Sequence, residues 1–217
     1  MNNALKFLLG LPKTIIINFK YLPWYEALRL PIWVTFRCRL RRLKGNISIE
    51  SPLTPGMIKI GYGDVGVIDN HERASFSNEG RIVFYGKTNL GGGTRIDNHG
   101  TLVFGKNFVA TAKIQITCYK RIVFGESVLV SWDTAFMDTD THKIFDINCD
   151  HINQDKEISI GNNVWIGTRC LVLKGTIIPD GCIVGANSLV AKKYTNINSV
   201  IAGQPAKEIK QNISWKI

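Results

Sequence analysis

An apolar residue returns at every sixth position, without a break, through Ile160, Ile166, Val172, Ile178, Val184 and Val190. Four residues after each of the first five stands Val164, Cys170, Thr176, Cys182 or Ser188, and Gly161, Gly167 and Gly185 directly follow the apolar position. A helix needs an apolar face near every 3.6 residues and a strand alternates at two, so a period of six is neither. Six residues make one short strand plus one turn. The apolar residue and the small one four later then point inward, and Gly or Asn takes the corner. Three such sides close a coil of about 18 residues, and stacked coils pair as parallel strands about 4.8 Å apart, each covering its neighbour's edge.

The same step runs upstream through Phe84, Leu90 and Ile96, then Phe104, Ala110 and Ile116, then Phe124, Val130 and Phe136. These sets open on Ile82-Val83-Phe84, Leu102-Val103-Phe104 and Ile122-Val123-Phe124, whose starts lie 20 residues apart, so the early coils carry a slightly enlarged corner. The expected fold is therefore all-β: a parallel β-helix of six or seven coils. A β-sandwich of irregular hairpins is the alternative, and six unbroken hexads argue against it.

The chain has 217 residues, enough for one domain with an arm. Its longest apolar stretches, Leu5–Pro12 and Thr14–Phe19, fall short of a membrane span of about 20 residues, and no secretory leader is expected. Five Cys without a CxxC pair suit reduced thiols, so the expected compartment is the cytoplasm. The net charge of +10 is uneven. Residues 1–45 hold nine basic residues against Glu26, whereas 46–217 hold 18 basic and 16 acidic. A nearly neutral body disfavours nucleic acid as a partner.

Residues 1–45 form a basic, aromatic N-terminal arm that Pro12, Pro23 and Pro31 are expected to cut into short, partly helical pieces. The hexad domain is expected over 46–203, with an irregular loop over 137–157 and a C-terminal tail from 204. The arm's first expected role is to cap the open first coil. Its second is peripheral contact with an anionic inner-membrane surface, because Trp24, Tyr25, Trp33 and Phe36 interleave with basic residues and Arg37–Lys44 carries five positive charges.

Asn163-Val164-Trp165-Ile166-Gly167, Lys174-Gly175, Ile183–Val190 and Ala202–Lys207 resemble the C-terminal half of the hexapeptide-repeat acyltransferases. The resemblance covers about 46–210 and is specific over 158–210. It implies a left-handed helix, against the usual right-handed crossover of parallel strands. It also implies a homotrimer with active sites between subunits. Val130–Asp133 and Asp138-Thr139-Asp140-Thr141-His142 resemble the bacterial polysaccharide O-acetyltransferase branch, which modifies capsule or lipopolysaccharide sugars.

Moving an acetyl group from a thioester to a sugar hydroxyl requires a base, donors for the oxyanion and alignment of both substrates. His142 opens the loop that interrupts the hexads, and the resemblance places the catalytic His there. His99 reads as a corner residue, His71 lies in an irregular polar segment and His151 lies inside the loop. Asp138 and Asp140 are both candidates to orient His142. Positions that hold the acceptor in related sugar acetyltransferases are Thr111 and Tyr119 here, a departure that leaves Trp132 and Asp133 as candidate acceptor contacts. The resemblance implies acetyl-CoA as donor, with Trp165, Thr168, Ala186, Ala191, Lys192, Lys207 and Lys210 at positions matching the family's contacts. Ala191 stands where the family often has Thr.

Cys170 and Cys182 read as small core residues, and Cys149–His151 lacks the support an acyl-Cys mechanism needs. No metal is expected, since the His gaps of 28, 43 and 9 residues lack the pair five apart used by zinc-binding relatives of this fold. The expected activity is O-acetylation of a surface-polysaccharide sugar with His142 as general base. N-acetylation of an amino sugar, which uses the same base, is one alternative, and a non-catalytic β-helix for binding or assembly is another.

Overall fold

The structure is a computed structural model that describes residues 3–63, 65–66 and 72–216. His71 lies outside the described residues. Strands β1 (Ile32–Val34), β2 (Arg39–Leu43) and β3 (Asn46–Ile49) make the first coil, one on each face of a three-sided prism. Each of the next five coils adds one parallel strand to each face, and further strands on the first two faces, one of them antiparallel, bring the sheets to nine, seven and six strands among the described residues. The stacked strands thus begin at Ile32 rather than at residue 46. Basic residues of the arm, Arg39, Arg41 and Arg42 among them, lie in the first coil itself.

Hexad residues point inward as the period requires. Ile160, Ile166, Val172, Ile178, Val184 and Val190 are buried, as are the small residues four positions later. Register pairs lie 20 residues apart in the middle coils (Leu102 with Ile122) and 18 apart in the late ones (Trp165 with Ile183). The 20-residue repeat brings Phe84, Phe104 and Phe124 into one column, with ring centroids 5.2 and 5.5 Å apart and nearly parallel planes.

From Asn107 onward, two corners of each coil turn on a residue in the left-handed backbone region. These are Asn107, Ser127 and Asn163 at one corner, and Lys113, Asp133, Arg169 and Asn187 at the next. The third corner holds the two extra residues. There Asn78, Asn98 and Cys118 stack in register, and Asn98 Nδ2 donates to Asn78 Oδ1 at 2.7 Å. Successive coils come so close that a Cβ on Gly80 would sit 2.1 Å from the Gly100 carbonyl oxygen, which requires glycine.

A helix, α1 (Asn3–Tyr21), lies against β1, and a single turn, α2 (Trp24–Ala27), follows it. Pro12 does not end α1 as expected. It lies on an exposed side of the helix, and contacts on the opposite side hold the helix in place. Those contacts are peptide-like. Pro31 O and Thr35 N–H pair with the next strand, while Ile32 and Val34 face the helix. Asn18 Oδ1 accepts Ile32 N–H at 3.1 Å, its Nδ2 donates to Ile32 O at 2.7 Å, and Thr14 Oγ1 accepts Val34 N–H at 3.0 Å. The open edge of the first face is therefore satisfied by side chains. Trp33 departs from the interfacial role expected of it: its ring is half-buried against Phe7 and Tyr62, with centroids 4.5 and 6.3 Å away.

At the other end, Ala206–Lys210 folds back antiparallel on Val200–Gly203 after the cis Gln204–Pro205 bond. The segment from 204 is thus not a plain tail. It supplies the last strand of the first face and carries Trp215 back to donate to Asn163 O at 2.8 Å.

Candidate active site

The interruption after Ala135–Met137 is an ordered hairpin. Phe145 bridges His151, Ile152 N–H donates to Ile144 O, and Asp146 Oδ1 accepts the N–H groups of Asn148 and Asp150, both at 2.9 Å. Its apolar tip is bare: Ile144, Phe145 and Ile152 are exposed, and Ile147 is 98% exposed.

His142 stands at the base of this hairpin. Thr141 before it has φ 59°, a left-handed backbone that a β-branched residue adopts only under constraint. Two bonds supply part of that constraint: Thr141 N–H to Thr139 Oγ1 at 3.0 Å, and Asn153 Nδ2 to the His142 carbonyl at 2.8 Å. Asn153 is the hub of the loop. Its Nδ2 also donates to Asp140 Oδ2 at 2.7 Å, and its Oδ1 accepts Ile144 N–H at 2.7 Å. Lys174, at the third corner of the next coil, closes the network. Its Nζ contacts Asp140 Oδ2 and donates to Asn153 O at 2.7 Å. Lys174 and Asn153 together hold the Asp140 carboxyl below the ordinary carboxylate pKa. The His142 side chain is exposed, and among the described residues nothing hydrogen-bonds to its ring.

The two candidate carboxylates separate cleanly. Asp138 is fully buried and follows Cys118 at the enlarged corner. Its oxygens accept the backbone N–H groups of Tyr119, Lys120 and Arg121 at 2.7, 2.8 and 2.7 Å. That geometry braces the corner and turns the carboxylate away from an orienting role at His142. Asp140 also makes no contact with the imidazole. It reaches His142 only through Asn153 and the backbone.

Trp132 and Asp133 lie at the corner before Ala135–Met137, and the loop bearing His142 leaves from the corner after it. A strand of that length separates the two by about 10 Å. Trp132 is half-buried, and its carbonyl accepts Thr168 Oγ1 at 2.8 Å and Arg169 N–H at 3.0 Å, so Thr168 is engaged within the chain. Ala186 repeats the Thr168 corner one coil on. Trp165 projects from the first face, donates from Nε1 to Ser131 Oγ at 3.1 Å and lies 6.0 Å from the Trp215 ring. Lys207 and Lys210 are exposed on the last strand of that face. Ala191 and Lys192 are exposed at the third corner, where Lys192 repeats the position of Lys174 one coil on and lies over the Tyr194 ring. The expected donor contacts thus follow the late coils as two lines, one along the first face and its corner and one above Lys174.

The other two His among the described residues are held apart from the His142 ring. His99 is held at a corner between Glu79 and Asp97, 3.4 Å from each, with Tyr119 against its ring. His151 faces Asn153 at 3.0 Å. Among the described residues no group of three or more His, Cys, Asp or Glu is placed to hold a metal ion. Sequence reasoning missed Asn153 altogether. It saw Lys174 only as part of a motif, since nothing in the sequence ties it to Asp140, 34 residues earlier.

Comparison with known proteins follows the same lines. The family model described as bacterial transferase hexapeptide (six repeats) matches residues 157–192. A Mycobacterium tuberculosis protein, named a probable acetyltransferase, is 32% identical over 208 residues. That alignment covers 94% of this chain but 63% of the relative, so the chain spans under two thirds of its length. An Escherichia coli K12 protein named as a lipopolysaccharide biosynthesis O-acetyl transferase is 32% identical over 146 residues, covering 62% of this chain and 74% of that one. Among solved structures, a polysialic acid O-acetyltransferase is 27% identical with a TM-score of 0.52, over 83% of this chain and 70% of its own.

Proposed function

Because this chain belongs to the hexapeptide-repeat transferases, a family of left-handed parallel β-helix acyltransferases, we propose that it is an acetyl-CoA-dependent O-acetyltransferase acting on a bacterial surface polysaccharide or its precursor. The relatives named for lipopolysaccharide and polysialic acid support that substrate class. The observation that carries the reading is the treatment of His142. Its backbone is clamped through Asn153, Asp140 and Lys174 while its imidazole stays exposed. A scaffold has no use for an anchored, solvent-facing His on a constrained backbone.

In the proposed reaction, neutral His142 takes the proton of the acceptor hydroxyl as its oxygen attacks the thioester carbonyl. The tetrahedral intermediate collapses with loss of the CoA thiolate, which takes the proton back from the imidazolium. Asp140 keeps its charge throughout and acts as a positioning residue. The donor lies along the late coils past Trp165 and Ala186, with Lys192, Lys207 and Lys210 near its phosphates as point charges. Trp132 and Asp133 are assigned to the acceptor. Their separation from His142 within one chain suits a site shared by two subunits of a homotrimer, and the bare apolar tip at Ile147 gives the hairpin a reason to reach a neighbour. The proposed location is the cytoplasm, with the acceptor assembled at the inner membrane.

The test is release of free thiol from acetyl-CoA in the presence of nucleotide-linked, lipid-linked and polymeric glycans, with His142→Ala in parallel. Acceptor-dependent release that falls about 10²–10⁴-fold in the variant is expected. Full activity in His142→Ala would remove the base assignment. Loss of the product acetyl group in mild alkali identifies an ester, whereas its retention identifies an amide and the N-acetyl alternative.

A further inference from the structure

Helix α1 buries Ile17 against the solenoid, yet its outer side is apolar as well. The side facing the solenoid carries its hydrogen-bonding residues: Thr14 and Asn18 are buried on β1, and Lys13 Nζ donates to Phe36 O and Cys38 O at 2.6 and 2.8 Å. The side facing away carries Leu5, Leu8, Leu9, Ile15, Ile16 and Phe19, each between 43% and 62% exposed. The apolar surface continues onto α2, where Trp24 is 69% exposed and Tyr25 and Leu28 stand beside it. A helix that only capped the coil would be expected to show water the opposite face. A contiguous apolar patch of this kind marks a surface with a partner.

The charge beside the patch says which partner. Between α1 and the first coil lies an open cavity of about 520 Å³ lined by Lys13, Phe36, Arg37, Arg39 and Arg73, so every charged lining residue is basic. The arm as a whole holds nine basic residues against one acidic. Two copies meeting through this face would bring two such arms together, which disfavours self-association. No helix among the described residues is long and apolar enough to cross a membrane. An apolar helix face with aromatic residues at its end and a basic cluster alongside fits the boundary between acyl chains and anionic headgroups.

We propose that this end of the solenoid docks on an anionic lipid bilayer. The outer face of α1 with Trp24 and Tyr25 enters the interface, and the cavity lined by Lys13, Arg39 and Arg73 takes a lipid phosphate. Docking deepens the proposed function by putting the enzyme where its acceptor is assembled. Its test reads lipid binding alone and stands or falls separately from acetyl transfer.

The experiment is co-sedimentation of the full chain with vesicles of phosphatidylcholine alone or mixed with phosphatidylglycerol. Binding is expected with the mixed vesicles, with little to phosphatidylcholine alone and a decline as salt rises. Two double variants at exposed positions, Leu8→Glu with Ile16→Glu and Arg39→Glu with Arg73→Glu, should each weaken binding roughly tenfold or more. Unchanged binding in both variants would overturn the proposal. So would failure of the parent chain to bind mixed vesicles, or an oligomer that dissociates in lipid-free solution when Leu8 and Ile16 carry charge.

Discussion

Lys174 and Asp140 meet across 34 residues of sequence, the ammonium on a corner of the stack and the carboxylate on the loop that interrupts it. The pair fastens the base of the hairpin to the solenoid, and Asn153 carries that fixation to the His142 backbone. Lys174→Met and Asp140→Ala should therefore lower kcat by about 10- to 100-fold through misplacement of His142 while leaving the melting temperature nearly unchanged. Steady-state kinetics beside thermal unfolding separates that result from a loss of fold.

The same pair sets an acid limit. The Asp140 carboxyl is lowered in the folded chain by Lys174 and Asn153, so its contribution is fully present above the ordinary carboxylate pKa of 3.8. That contribution is lost as pH falls through the lowered value. Hydrogen exchange of the loop amides should accelerate below about pH 4 beyond the intrinsic pH trend, and Asp140→Asn should remove that added acceleration.

Asp138 should behave in the opposite way. Asp138→Ala leaves three backbone N–H groups at a tightly stacked corner without their acceptor, at a cost of about 3 kcal/mol. For a chain of this length that corresponds to a fall in Tm of roughly 6–12 °C, read by calorimetry. The two neighbouring aspartates would then divide into one that moves the rate and one that moves the stability.

The hairpin tip tests the proposed assembly. Ile147→Asp alters a side chain that touches almost nothing within its own chain, so monomer stability should not change. Analytical ultracentrifugation should show a trimer for the parent chain and a shift to smaller species for the variant. Thiol release should fall with the trimer even though His142 is intact.

The cap on the first coil is open to a similar trial. Asn18→Leu keeps the branching at Cγ but leaves the N–H and C=O of Ile32 without partners, a cost of about 2 kcal/mol. Light scattering on mild heating should then reveal growth of aggregates from the uncovered strand.

The solenoid was legible because its signal is covalent spacing: an inward residue every sixth position has few other structures to fit, and Ile160 to Val190 all point inward. The start at Ile32 was not, because one strand on each face carries too few repeats to show a period. Helix α1 escaped notice for a different reason. With apolar residues on its outer side and Thr14 and Asn18 turned inward, it lacks the usual contrast between faces, and Pro12 suggested a break. The loop chemistry was half legible. Asp138 and Asp140 look alike on paper, and only the register of Asp138 behind Cys118 commits it to the corner. Asn153 acts through contacts with Asp140, His142 and Ile144 that no local motif announces.

The regularity of the stack also gives the molecule a built-in ruler. Arg39 in the first coil and Ala135 in the coil that bears the loop are joined by an unbroken register through Ser75, Arg95 and Gln115, which is four rungs or about 19 Å. If α1 rests on a bilayer, that length sets the height at which His142 works. The sugar it reaches then lies several residues out along a lipid-linked glycan, clear of the headgroups, and each coil added to or removed from the stack would move the modified position along that glycan by a fixed step.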